Sequence, residues 1–82
     1  MSTPSQRLTL AAAHYQRHRN IQTVEHACMA IGLASGIQWR RVARLRTGEV
    51  RMLVADADQL AAVLGVHASW IAFGENAPGW AR

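Results

Sequence analysis

At 82 residues the chain has room for one hydrophobic core and not for two independent ones. Half of its residues are apolar and 17% are charged, a balance that argues against disorder, and no apolar run approaches the roughly 18 residues of a membrane span. The formal net charge is +4, the single cysteine Cys28 permits no internal disulfide, and Leu10 to Ala13 is too short for a signal peptide, so a soluble cytoplasmic protein is expected.

Residues 1–5 read as a polar lead-in, with Pro4 or Ser5 a possible helix start. From Gln6 to about Arg19, the residues Leu8, Ala11, Ala12 and Tyr15 recur at helical spacing and predict a first helix that stops near Asn20. Thr23 is a fair N-cap for a second helix, whose expected inner face is Val24, Ala27, Ile31 and Ala34. Gly32 inside that helix costs about 1 kcal/mol relative to alanine, so a close helix crossing is expected there. Gly36 closes the helix as a C′ glycine.

The next stretch, Gln38 to Thr47, is bracketed by Gly36 and Gly48 and carries Arg40, Arg41, Arg44 and Arg46. With about 100° between successive side chains, Gln38, Val42 and Leu45 share one side of a helix while Arg40, Ala43, Arg44 and Thr47 point the other way. Arg41 borders one edge of the apolar stripe; Trp39 and Arg46 lie off the other. Like charges one turn apart, as at Arg40 and Arg44, destabilise a free helix by about 0.2–0.5 kcal/mol, so such a face suits an anionic partner, although a solvated basic face has the same composition. Residues 36 to 51 hold five arginines against Glu49 alone, whereas residues 52 to 81 hold Asp56, Asp58 and Glu75 and no arginine or lysine. A basic stripe beside an acidic flank is the footprint of a polyanion-binding surface.

Val54, Ala57, Leu60, Ala61 and Leu64 predict a fourth helix ending at Gly65, unless Asp56 and Gln59 form a capping box that starts it later. A short fifth helix, Ala68 to Phe73, should turn Trp70 and Ile71 inward and end at Gly74. The folded domain is thus expected over residues 6–74, with residues 75–82 as a tail of turn chemistry around Trp80.

Gly32 stands four residues before Gly36, Gly36 twelve before Gly48, and Gly48 seventeen before Gly65. Ile37, Val42 and Leu45 are apolar between them, and Leu64-Gly65-Val66 is followed by Trp70-Ile71-Ala72-Phe73-Gly74. Together these spacings resemble the lambda-repressor-like helix-turn-helix domain of the Cro and phage-repressor (XRE) family, over roughly residues 24 to 74. The chain departs from that pattern at Cys28, where glutamine is frequent, at Gly32 and at Ser35. The resemblance implies a compact all-α, five-helix fold whose third helix enters the DNA major groove. It implies base contacts from Gln38, Trp39, Arg40, Ala43 and Arg44, with Arg40 and Arg44 suited to guanine O6 and N7. Arg46, Thr47 and Arg51 are the expected phosphate contacts, and Phe73 and Trp80 the expected dimer interface.

Trp39 could bury its ring in the core or lay it on a thymine methyl in the groove; both readings stand at this level, whereas Trp70 reads as structural. Trp80 could equally lie on a tail folded back onto the domain. His14 and His18 share a helix face at zinc-binding spacing but lack a third ligand nearby, so no metal and no cofactor are expected. Cys28 with a neighbouring histidine is the sole nucleophile–base pairing, and its helical position suggests a packed thiol, so no enzyme is expected. The expected function is a transcriptional regulator, a Cro-like repressor binding double-stranded DNA as a homodimer without a small-molecule ligand. The alternatives are an antitoxin that binds a toxin and represses its own synthesis, and a protein–protein adaptor on the same fold.

Overall fold

The computed structural model describes residues 2–81. Five α-helices follow in order: α1 (Pro4–His18), α2 (Val24–Ser35), α3 (Trp39–Thr47), α4 (Val54–Leu64) and α5 (Ala68–Phe73), with a 3-10 turn at Gly79–Ala81. No strand occurs among the described residues, so the chain is all-α.

The helix ends have local causes. Thr3 caps α1 reciprocally: its hydroxyl accepts from the Gln6 N–H at 3.2 Å, and the Gln6 carbonyl oxygen accepts from the Thr3 N–H at 2.8 Å. The helix therefore begins at Pro4, within the stretch expected to be a lead-in. Thr23 caps α2 by accepting from the His26 N–H at 3.1 Å. Gly36, at φ 79°, ends α2 and returns its own N–H to the Gly32 carbonyl. Asp56 does act at the start of α4, but from the third position, where its carboxylate accepts from the Leu53 N–H at 2.9 Å. The helix accordingly starts at Val54 and not at a later cap.

Each helix sends one large aliphatic residue to full burial: Leu8, Ile31, Leu45, Leu60 and Ile71. Such a side chain contributes roughly 1.5–3 kcal/mol over its exposed state. Val24, Ala34 and Val54, expected to point inward, are exposed. All three sit in the first or last turn of their helices, which run clear of the core. Cys28 takes up the inner face of α2 instead. Gln38 is also exposed: it is the N-cap of α3, with ψ 133°, so the 100° progression does not yet apply to it.

Gly32 lies where α2 meets the start of α3. A Cβ there would fall 2.7 Å from the Ile37 carbonyl oxygen and 2.9 Å from the Trp39 Cα, so the expected close crossing is present. Buried Arg7 joins α1 to the end of α5. Its Nε donates to the Ile71 carbonyl at 3.0 Å and its second terminal nitrogen to the Ala72 carbonyl at 3.2 Å. These are last-turn carbonyls with no partner inside their own helix, and a cation suits that end of the dipole.

Candidate nucleic-acid interface

α3 is short, and its sequence leaves little choice of orientation. Val42 and Leu45 are buried to 1% exposure, which turns Arg40, Arg44 and Thr47 to solvent and leaves Ala43 partly exposed between them. The two αL glycines at its ends, Gly36 and Gly48, detach the helix from its neighbours. Gly48 at φ 83° directs its N–H and that of Glu49 back to the carbonyls of Leu45 and Arg44.

The arginines of the stripe have different fates. Arg41 donates to both carboxylate oxygens of Asp56, from Nε at 3.2 Å and from a terminal nitrogen at 2.6 Å, and so ties α3 to α4. This hydrogen bond, with that from the Leu53 N–H, holds the Asp56 carboxyl below its ordinary value despite its burial; the same pair raises Arg41. Arg46 lies on the other edge, against Ala12, Gln16 and Ala27 in the seam of α1 and α2. Its Nε is buried and without a hydrogen-bond partner among the described residues. The side chain as a whole is half-buried, less open to solvent than Arg40, Arg44 and Arg51. Burial pushes the neighbouring Cys28 thiol up, with a smaller opposing pull from Arg46, and the side chain is packed in the core.

Arg40, Arg44 and Arg51 remain exposed, as does Thr47. The first two share the outward face of α3 with Ala43; Arg51 sits in the segment between α3 and α4 beside the cleft that opens next to Gly48. Trp39 is neither fully buried nor fully exposed. It is half-buried against the core and closes a shallow groove with Met29, Leu33 and Ile37, while the Arg40 guanidinium carbon lies 5.1 Å from the centre of its ring. Cations within about 6 Å of an indole are attracted to its face.

The two residues expected at a dimer interface part company. Phe73 is 69% exposed, beside Leu53 and Val54, which are also exposed. These surround a cleft of about 390 Å³ that Arg51 also lines. Trp80 instead folds back on its own chain, stacked on His14 with centroids 4.0 Å apart and rings 8° from parallel, and edge-on to Trp70 at 5.8 Å. One face of its ring is therefore covered within the domain, and the residue remains 38% exposed. His14 and His18 are in contact, their centroids 4.2 Å apart, and no group of three or more metal-binding side chains occurs among the described residues. No helix of the described residues is long and apolar enough to cross a membrane.

Two interactions of the fold lay beyond sequence reasoning. The Arg41–Asp56 pair joins residues on different helices, and no periodicity relates them. Arg7 was merely one charge near a helix start, and its spacing just before Leu8 was the available sign that it faces inward. Comparison with protein-family models, curated proteins and solved structures finds no match to this chain.

Proposed function

We propose that the protein is a sequence-specific double-stranded DNA-binding regulator, a Cro-like repressor of lambda-repressor-like helix-turn-helix type that uses no cofactor and catalyses no reaction. The observation that carries this reading is the division of labour among the arginines. Arg41 is neutralised by Asp56 and the Arg46 Nε is enclosed, whereas Arg40 and Arg44 are exposed on the outward face of α3 with no carboxylate partner among the described residues. A guanidinium pair on a narrow, exposed helix face fits the major groove, where each fork can donate to O6 and N7 of a guanine. Gln38 and Ala43 flank them; Thr47 and Arg51, farther along, suit phosphate oxygens.

One reading head this small covers few base pairs, so a second copy on a two-fold operator belongs to the proposal, with half-sites about one helical turn, ~34 Å, apart. Phe73 with Leu53 and Val54 is the face offered to that copy.

Titration of variants on an operator recovered from random duplex DNA, and on a scrambled duplex, tests the assignment. Arg40→Ala is expected to cost about 1–3 kcal/mol on the operator and far less on the scrambled duplex. Arg51→Ala is expected to weaken both about equally and to lower the salt slope by about one unit. If neither variant changes binding to either duplex, the DNA reading fails.

A further inference from the structure

We propose that Trp39 and Arg40 act as one composite reader of adjacent thymine–adenine and guanine–cytosine pairs, Trp39 meeting the thymine methyl and also holding Arg40 on the guanine. The inference rests on the DNA reading above and names the base step that this reading head prefers.

Trp39 cannot easily move. Its Cα and Cβ lie 2.9 and 3.1 Å from where a Cβ on Gly32 would be, so the helix crossing fixes its backbone position. Its ring packs partly against the core beside Met29, Leu33 and Ile37. What remains uncovered is an apolar aromatic surface at the first turn of α3, next to exposed Arg40. In the major groove the thymine C5-methyl is the apolar group that such a surface can cover, whereas adenine, guanine and cytosine offer polar edges there.

Arg40 is held by the same ring, its guanidinium carbon 5.1 Å from the centroid. Contact over a ring engages a face of the guanidinium, while hydrogen bonding to a base uses its edge. Both can occur together, and neither Asp56 nor any other carboxylate competes for this arginine among the described residues. A long side chain otherwise free to sample many rotamers is thus restricted before it meets DNA, which lowers the ordering cost of binding. Trp39 is then a direct contact for one base pair and a positioning residue for its neighbour. Arg44, one turn later, has no such platform and should read with less discrimination.

The test uses the whole protein and the duplex recovered by selection, with each thymine in turn replaced by deoxyuridine, which removes only the methyl. One thymine next to a guanine should prove sensitive, with affinity falling about fourfold, the value of one buried carbon at roughly 0.8 kcal/mol. Trp39→Leu keeps an apolar side chain of similar reach and removes the ring. It should retain part of the methyl dependence yet lower discrimination at the guanine about threefold to tenfold, and Trp39→Phe should restore it. If Trp39→Leu does not fold, Trp39→Met takes its place with the same expectation, because a thioether chain is apolar and likewise has no ring to hold the guanidinium. Specific binding with no methyl-sensitive thymine beside a guanine overturns this proposal alone. So does guanine discrimination unchanged in a folded Trp39→Leu. Absence of any sequence-specific binding overturns the regulator reading together with it.

Discussion

Gly32 decides how closely the reading head sits on its support. Its missing Cβ leaves room for the Ile37 carbonyl and the Trp39 backbone, neither of which can rotate away. Gly32→Ala should therefore lower stability despite alanine's better helix propensity, by about 1–3 kcal/mol, and a thermal melt measures it. An unchanged melting temperature would mean that α2 and α3 separate at little cost. Asp56 supports the same helix from the other side. Its carboxyl is held below the ordinary value near 3.8, by Arg41 first and by the Leu53 N–H as well. A depressed carboxyl adds stability that is complete above the ordinary value and disappears as pH falls through the lowered one. Denaturant midpoints of the wild type should therefore drop on acidification below about pH 4. Asp56→Asn should begin about 1–3 kcal/mol less stable at neutral pH and show a shallower acid limb.

At the level of elements, the order and approximate limits of all five helices could be read from the chain. Capping threonines, glycines that tolerate positive φ, and the spacing of Leu8, Ala11, Ala12 and Tyr15 are local signals. Side chains in terminal turns were misread, because Val24, Ala34 and Val54 keep the helical spacing where no neighbour covers them. Within the candidate site, burial of Val42 and Leu45 follows from their angular positions, and with it the exposure of Arg40 and Arg44. The Arg41–Asp56 pair and the seam around Arg46 depend on how helices pack, which no single helix encodes.

The tail after α5 is likewise a matter of packing. His14, under Trp80 and beside His18 and Arg17, is held below its ordinary value of 6.5, first by loss of water and then by these neighbouring cations. Its neutral form is the one the fold favours, so tail docking should be complete above that value and loosen as pH falls below it. The indole N–H resonance of Trp80 should move toward its value in a short tail peptide between about pH 7 and pH 5, the range around an ordinary histidine. In His14→Phe that movement should vanish; its persistence would place the titration elsewhere.

For the molecule as a whole, the exposed apolar surface around Phe73 is the face the proposed dimer would use, while Trp80 is stacked on His14 of its own chain. Phe73→Asp should shift light-scattering mass toward the monomer and shorten the footprint from two half-sites to one, while Trp80→Ala leaves association intact. Retention of the dimer in Phe73→Asp would move the interface to another face.

Arg7 has a consequence for how the chain comes into being. Its carbonyl acceptors belong to Ile71 and Ala72, 64 and 65 positions later in the sequence. At synthesis rates of about 5–20 residues per second, they follow it by roughly 3–13 seconds. During that interval all of α3 is made and has left the peptidyl-transferase centre, while the guanidinium can donate to Ser2 but still lacks its two carbonyl acceptors at the end of α5. The first helix therefore cannot complete its bonds to α5 until Ile71 and Ala72 have been made. A nascent chain stalled before Ile71 would carry every proposed DNA contact on a support that is not yet closed, so binding competence should arrive abruptly with the last helix and not gradually with the reading head.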